Sequence, residues 1–171
     1  GARTINNAMI DVHKHFQGTK GIKLIHITGD GEYKSVLSQL GITDGDGLGD
    51  SSVILPYLHD MPKALAAADL AVFRSGAIGL AELAVRGIPS VLVPYPYAAE
   101  DHQTYNARIF VQEGAAHMIV DQMLSAHDLI GEIEMFMANR DLLSQMGERA
   151  LQLGKPNAAH DIAKLALSIA K

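Results

Sequence analysis

A glycine, a carboxylate and two amides stand in one stretch of this sequence at spacings that suit a phosphate-bearing sugar ligand. Gly76 separates an apolar run that ends at Phe73 from a segment of good helix formers that begins at Ala77. A helix start has unpaired backbone N–H groups and the positive end of the helix dipole, so it can hold a phosphate without a metal or a lysine. Glycine also removes the side chain that would block the ligand. The alternative, more common for an isolated junction of this kind, is a glycine that only makes the turn.

Glu82 lies one and a half turns further along the same predicted helix. The apolar stripe that would face a sheet comprises Leu80, Leu83, Ala84 and Gly87. Glu82 shares a different face with Ile78 and Arg86, and there its carboxylate can accept hydrogen bonds from both hydroxyls of a ribose. The alternative is an i,i+4 ion pair with Arg86, which contributes only about 0.2–0.5 kcal/mol. The spacing alone favours neither interpretation.

Two amides follow a proline-rich break, in the segment HQTYNA. If a helix starts near Glu100 or Asp101, Gln103 and Asn106 face the same way at its N-terminal end. Open α/β sheets bind their ligands at this end of the helices that follow their strands. Neutral amides both donate and accept, which suits sugar hydroxyls. Capping of the helix and a solvated helix face are the alternative roles.

Apolar strand-like runs alternate with helical segments over most of the chain. The predicted strands are Ile22–Thr28, Ser52–Pro56, Leu70–Phe73, Ser90–Pro94 and His117–Val120. The predicted helices are Thr4–Phe16, Glu32–Gly41, Met61–Ala68, Ala77–Arg86 and Asp101–Gln112, followed by a tail from Ser125 to Lys171 that breaks near Asn139 and at 154–156 into about three helices. This order predicts an α/β fold, a Rossmann-like parallel sheet with helices on both faces.

Composition excludes several classes of protein. The 171 residues, 48% hydrophobic and 19% charged, predict one globular domain with a substantial core. A net charge of −5 and scattered basic residues exclude nucleic-acid binding as the main function. No apolar segment reaches the roughly 18 residues that span a bilayer, and no segment is typical of a signal peptide. The absence of cysteine excludes disulfides and thiol chemistry and fits a cytosolic location.

The stretch RSGAIGLAELAVRGIPSVLVPYPYAAEDHQTYNARIFVQEGAA resembles the donor-binding half of the MurG family. These transferases add N-acetylglucosamine to lipid-linked muramyl-peptide in peptidoglycan synthesis. GARTINNAM is similar to the end of the family's glycine-rich loop and the helix after it, and ILPYLHDMPKALAAADL is similar to the segment that frames the uracil. The resemblance implies the C-terminal half of a GT-B glycosyltransferase that binds UDP-N-acetylglucosamine and needs no cofactor.

The resemblance also implies roles for individual residues. Leu58 would present its backbone to the uracil edge, and Glu82 would hold the ribose hydroxyls. Gln103 would read hydroxyls of the N-acetylglucosamine, with His102 and Asn106 beside it. The turn and helix start near the diphosphate would comprise Ser75, Gly76, Ala77, Ile78 and Gly79.

The family's loop is similar to Gly-Gly-Ser-x-Gly-Ala, and this sequence opens with what resembles its last two residues, Gly1-Ala2. We therefore expect residues 1–171 to be a donor half-site that lacks an N-terminal domain. In the family that domain supplies the lipid-linked acceptor site and the membrane-facing surface, and the catalytic residues are expected there. The whole protein would lie peripherally at the inner face of the bacterial plasma membrane. Its last helix would cross back to the missing domain, which leaves Ile162, Leu165 and Ile169 as expected exposed apolar residues. The alternative is ordinary packing of this helix onto its own sheet.

Other functions remain open from the sequence alone. A free-standing donor subunit of a two-chain N-acetylglucosaminyltransferase has about this length. A UDP-sugar epimerase shares the architecture but needs an acid and base pair, for which the sequence offers no candidate. A pure binding domain would differ from all of these in having no turnover.

Metal binding is not expected. His13 and His15 are two residues apart on a helix and point to different sides. The segment Asp44–Asp50 lacks the ligand spacing of a calcium loop and is expected to be a mobile surface loop, and Gly29-Asp30-Gly31 is expected to be a turn.

Overall fold

The computed structural model describes residues 2–43 and 48–170. Within these ranges the helices are α1 (Arg3–Phe16), α2 (Asp30–Leu40), α3 (Met61–Ala67), α4 (Ala77–Arg86), α5 (His102–Gln112), α6 (Ala126–Ala138), α7 (Arg140–Leu153) and α8 (Ala158–Ile169). The strands are β1 (Leu24–Ile27), β2 (Ser52–Leu55), β3 (Ala71–Phe73), β4 (Ser90–Leu92) and β5 (Ala116–Met118). The predicted alternation and the three C-terminal helices are confirmed. Of the segment expected to be a mobile surface loop, Asp44–Asp50, residues 44–47 lie outside the described residues, whereas Leu48 is buried and Gly49–Ser51 form a 3-10 turn.

The strands pair only in parallel, as predicted, and they form two sheets. β1 pairs with β2, whereas β3, β4 and β5 form a separate sheet in that order. The sequence predicts where strands lie, but pairing depends on which strand edges the packing of the helices brings together. Helix α1 touches both sheets: Asn6 donates to the Thr28 carbonyl beyond β1, and Thr4 donates to Asp121 beyond β5. The carboxyl ends of both sheets therefore lie at one edge of the molecule.

Helices cover both faces of the three-stranded sheet. Val91 and Val93 pack with α1 and α6, whereas Leu92 between them packs with α4 and α5. Successive side chains of a strand point to opposite faces, so this alternation identifies β4 as a strand buried on both sides. The other members of the two clusters with 0% exposure are Val12, Leu129, Leu83, Ala107, Ala115 and Ala150. The predicted placement of helices on both faces is confirmed.

A chain of buried polar side chains joins α1 to the two-stranded sheet. Asn6 Nδ2 donates to the Thr28 carbonyl (2.9 Å), which leaves Asn6 Oδ1 to accept from His26 Nε2 (3.0 Å). His26 Nδ1 must then accept from His13 Nε2 (3.1 Å), and His13 Nδ1 accepts from the Ser52 hydroxyl (2.9 Å). All the hydrogen bonds run in one direction, and both imidazoles are neutral. We refer to Ser52, His13, His26 and Asn6 as the histidine chain.

Two of the helices that follow a strand start at a different residue from the prediction. Helix α2 begins at Asp30 after Gly29 at a φ of 79°, so the segment expected to be a simple turn supplies the first turn of a helix. An acidic residue in a first turn complements the helix dipole, which favours this earlier start. Helix α5 begins at His102, because Glu100 and Asp101 adopt the left-handed conformation (φ 52° and 54°). Both deviations lie at glycine or acidic residues that follow a strand.

Helix α8 contributes no side chain to the core. All its residues are exposed, and its large apolar residues Ile162, Leu165, Leu167 and Ile169 are 64–77% exposed. By contrast, α7 buries Leu143, Met146 and Ala150. The expectation of exposed apolar surface on the last helix is confirmed.

Candidate functional site

The start of α4 is open to a ligand. Gly76 is its N-cap residue, and the first helical bond runs from the Leu80 N–H to the Gly76 carbonyl (3.0 Å). The amides of Ala77, Ile78 and Gly79 precede that bond and have no acceptor within the helix. Ala77 and Ile78 are exposed, with Ile78 at 80%. This end of α4 can therefore offer three N–H groups and a positive dipole end to an anion.

Two glycines in this segment have different reasons for being glycine. Gly76 has an ordinary extended conformation (φ −68°, ψ 146°), and no atom lies within 4 Å of the position of a Cβ there. Neither backbone strain nor protein packing requires a glycine at 76. A Cβ at Gly79 would approach Cε1 of Phe73 to 2.7 Å, so Gly79 allows close packing of α4 on β3. Of these two glycines, Gly76 is the one with unoccupied space around the Cβ position.

Glu82 lies off the core, as predicted. It is exposed on α4, while Leu80, Leu83 and Ala84 are buried against the sheet. None of the ion pairs of the described residues joins Glu82 to Arg86. The carboxylate is therefore available to solvent or to a ligand on the surface that begins at Gly76.

Ser75, Gln103 and Asn106 are brought together by hydrogen bonds. The hydroxyl of Ser75, which is fully buried, donates to the carbonyl of Gln103 (2.8 Å). The Asn106 amide donates to the Ser75 carbonyl (3.1 Å), and Gln103 Oε1 accepts from the Tyr95 N–H (3.0 Å). Ser75 and Asn106 thus join the β3–α4 turn to α5. The Gln103 NH2 group remains available as a donor.

The remaining predicted residues reach this edge from separate loops. Leu58 follows β2 and is half-buried, between the exposed side chains of Tyr57 and His59, whose rings contact each other. His102 is exposed at the start of α5, where its Nδ1 lies 2.7 Å from the carbonyl of Ala99. None of the side-chain hydrogen bonds described for this edge joins Leu58 or the His102 ring to Ser75, Gln103 or Asn106. Their positions, after β2 and after β4, are at the carboxyl ends of strands.

Sequence reasoning missed the side chain that links the ends of three strands. Arg74 follows β3, and its Nη1 lies within hydrogen-bond distance of the carbonyls of Val93 (3.0 Å) and Pro94 (3.2 Å) and of Asp121. Arg74 and Asp121 are both largely buried, at 20% and 13% exposure of the side chain. An arginine directly after a buried strand, with an aspartate after a later strand, is the signal that was available in the sequence.

No group of three or more potential metal ligands occurs among the described residues. His13 is buried and His15 is exposed, so their predicted separation is confirmed. Within the same ranges, no helix is both long enough and apolar enough to cross a membrane.

The parallel α/β fold, with an open helix start, an exposed carboxylate and paired amides at one edge, defines a Rossmann-like half of a GT-B glycosyltransferase. The chain belongs to glycosyltransferase family 28, whose C-terminal domain profile matches residues 1–165. The resemblance to the MurG family is confirmed by sequence relatives and by a solved structure.

The relatives cover nearly all of this chain. UDP-N-acetylglucosamine--N-acetylmuramyl-(pentapeptide) pyrophosphoryl-undecaprenol N-acetylglucosamine transferase of Desulforamulus reducens is 40% identical and covers 96% of the chain. The protein of the same name from Desulfitobacterium hafniense is 41% identical and covers 99%. A crystal structure of Acinetobacter baumannii MurG covers 99% of the chain at 27% identity, with a TM-score of 0.81. The chain spans 44–47% of the length of these three proteins.

A more distant structure shares the fold alone. The glycosyltransferase VinC covers 94% of the chain with a TM-score of 0.63 at 16% identity. The architecture is thus common to several glycosyltransferases, and the nature of the ligand must be argued from the site.

Proposed function

We propose that this chain binds UDP-N-acetylglucosamine and is the donor half of an inverting N-acetylglucosaminyltransferase. The acceptor would be the lipid-linked muramyl pentapeptide of peptidoglycan synthesis, at the cytoplasmic face of the membrane. The names of the relatives support the donor and the acceptor, and family membership supports the reaction class.

Gly76 is the observation that carries the proposal. Its conformation is open to any residue and its surroundings hold no atom that a side chain would meet, so the protein has no structural need for glycine there. A diphosphate that approaches the amides of Ala77, Ile78 and Gly79 supplies such a need, because a side chain at 76 would stand in its way.

Glu82 and Gln103 provide the other two parts of a UDP-sugar site. The exposed carboxylate of Glu82 is an acceptor suited to the two ribose hydroxyls, and no ion pair of the described residues engages it. The Gln103 NH2 group is a donor suited to a sugar hydroxyl oxygen. Leu58, His102 and Asn106 would complete the uracil and sugar ends of the site.

This half-site would act on the leaving group. During transfer the acceptor hydroxyl forms a bond to C1 of the sugar while the bond from C1 to the UDP oxygen breaks, and negative charge grows on the departing diphosphate. Amides preorganised at the start of α4 would stabilise that charge, and the ribose and sugar contacts would orient C1. The base that takes the acceptor proton would belong to the remainder of the protein.

Helix α8 would contact that remainder. Four large apolar side chains stand exposed along it, and relatives of the chain are more than twice its length. In a full-length protein, Leu165→Gln with Ile169→Gln would lower transferase activity without changing donor affinity, because only the contact between domains is altered. Equal activity of this double variant and the parent protein would contradict the proposed contact.

Titration calorimetry of the chain with UDP-N-acetylglucosamine, UDP-glucose and UDP tests the donor site. We expect Glu82→Ala to weaken the binding of all three ligands roughly 10–100-fold, because two hydrogen bonds to a charged group are lost. Gly76→Ala should weaken the binding of each ligand at least about tenfold, because the added methyl group would block the diphosphate.

The matched control is Glu148→Ala, which removes an exposed helical glutamate of α7 that lies away from the start of α4. Its affinities should equal those of the parent chain. If the folded chain binds none of the three ligands, or if Glu82→Ala behaves like Glu148→Ala, the donor assignment is wrong.

A further inference from the structure

We propose that Arg74 is a positioning residue for sugar recognition, which acts by orienting the side-chain amide of Gln103. This inference rests on the proposed function for the identity of the sugar, but its geometric part concerns the protein alone. Arg74 would touch no ligand atom. It would set which half of the Gln103 amide faces the site.

The Arg74 guanidinium is held in place from several directions. Asp121 pairs with it, and the second carboxylate oxygen of Asp121 accepts from the Thr4 hydroxyl at the start of α1 (3.1 Å). The ring of Tyr95 lies over the guanidinium, with its centroid 5.6 Å from Cζ. Because both charged side chains are largely buried, their pairing is less screened by water than a surface ion pair. Arg74 is therefore a fixed point at the ends of the three-stranded sheet.

A single peptide unit transmits this position to Gln103. The Pro94 carbonyl accepts from Arg74 Nη1 (3.2 Å), and the Tyr95 N–H of the same peptide unit donates to Gln103 Oε1 (3.0 Å). A peptide unit is planar, so fixing its carbonyl also fixes the direction of its N–H. The Val93 carbonyl, one residue earlier, binds the same Nη1 (3.0 Å) and limits rotation of the segment further.

The consequence is a defined polarity for Gln103. An amide oxygen must face the Tyr95 N–H, because a flipped amide would place two donors against each other. The NH2 group then points away from Tyr95 and can only donate. Gln103 would thus bind a ligand oxygen with a free lone pair, such as a sugar hydroxyl. It would not contribute to the affinity for UDP without the sugar.

The test combines a measurement without ligand and one with ligand. In the chain alone, proton exchange of the Tyr95 amide is followed by NMR in the parent protein, Arg74→Gln and Gln103→Ala. We expect Arg74→Gln and Gln103→Ala each to speed this exchange at least tenfold, since both remove the ordered Tyr95–Gln103 hydrogen bond. In titrations, Arg74→Gln should raise the Kd for UDP-N-acetylglucosamine at least fivefold and that for UDP less than twofold.

Arg108→Gln is the matched control, because Arg108 also lies over a tyrosine ring, that of Tyr105, but on the exposed side of α5. It removes the same charge and should change neither measurement. The double variant Arg74→Gln with Gln103→Ala should bind no more weakly than Gln103→Ala alone, because Arg74 acts through Gln103. If Arg74→Gln fails to fold, Asp121→Asn loosens the guanidinium and should shift both measurements in the same direction.

Two results would overturn the inference. One is unchanged Tyr95 exchange in a folded Arg74→Gln or Asp121→Asn protein. The other is an equal rise of the Kd for UDP and for UDP-N-acetylglucosamine in Arg74→Gln, which would make Arg74 a general structural residue. If the parent chain binds no UDP ligand, the proposed function fails, while the Tyr95 exchange still decides whether Arg74 positions Gln103.

Discussion

The histidine chain and the edge around Gln103 are both built from polar side chains, but they use their hydrogen bonds differently. In the histidine chain every donor meets an acceptor within the protein, from the Ser52 hydroxyl to the Thr28 carbonyl. At the Gln103 edge, the NH2 of Gln103 and the carboxylate of Glu82 are left for a partner outside the chain. The first arrangement stabilises the fold, and the second is suited to binding.

The two regions also differ in charge. His13 and His26 are 0% and 6% exposed and are held neutral, whereas Arg74 and Asp121 form a largely buried ion pair. The neutral histidine chain avoids the free-energy cost of burying ions. Adding a proton to it would bury a charge that has no partner. The regions are therefore expected to respond differently to acid and to mutation.

Acid is expected to have the largest effect, and to act through the histidine chain. Burial lowers the pKa of His13 from 6.5 to about 4, and burial together with His13 lowers the pKa of His26 to about 4. The unfolded chain then takes up protons first, so the stabilisation is complete above pH 6.5 and is lost as the pH falls toward 4. We expect a loss of about 2 kcal/mol for each histidine by pH 5, measured as the free energy of urea unfolding at pH 7.5 and 5. Equal free energies of unfolding at pH 7.5 and 5 would contradict a neutral histidine chain.

His13→Leu is expected to have the next largest effect. It leaves His26 Nδ1 and the Ser52 hydroxyl buried without their hydrogen-bond partner, so the free energy of unfolding should fall by about 3 kcal/mol at pH 7.5. The control is His15→Leu on the same helix, where an exposed pair with Glu134 is lost and the change should stay below about 0.5 kcal/mol. A similar loss in both variants would show that the histidine chain contributes little.

Substitutions of the two glycines at the start of α4, Gly76 and Gly79, are expected to differ in their effect on stability. Gly79→Ala forces the Phe73 ring to move, and we expect it to lower stability by about 1 kcal/mol after the gain in helix propensity is counted. Gly76→Ala meets no atom and should change stability by less than about 0.5 kcal/mol. Urea unfolding of both variants measures this difference. The reverse order of stability would mean that Gly76 is structural after all.

An effect smaller than that of Gly79→Ala is expected at Glu100, which is in the left-handed conformation just before α5. Glu100→Gly should raise the free energy of unfolding by about 0.5–1 kcal/mol, because glycine adopts this conformation without strain. The control is Glu113→Gly at the other end of α5, where φ is −77° and glycine should lower stability slightly. Thermal unfolding of both variants separates backbone strain from a general effect of glycine.

Local patterns were sufficient for the element order and for the faces of the helices. Periodicity identified the buried stripe of α4 and the outward position of Glu82, because helix geometry alone decides which residues share a face. It also separated His13 from His15, whereas the exposed apolar residues of α8 were expected only from the family resemblance. The features that periodicity identified depend on residues within a few positions of each other.

Contacts between distant segments were decided only by the tertiary structure. The split into two sheets, the pairing of His13 with His26 and the reach of Arg74 to Pro94 and Asp121 join segments that the sequence holds apart. A sequence names the side chains that can hydrogen-bond, but it does not state which of many partners each will meet. The amino-acid order thus determined which residues form the proposed donor site, and the packing of the strand ends determined how Gln103 is oriented at this edge.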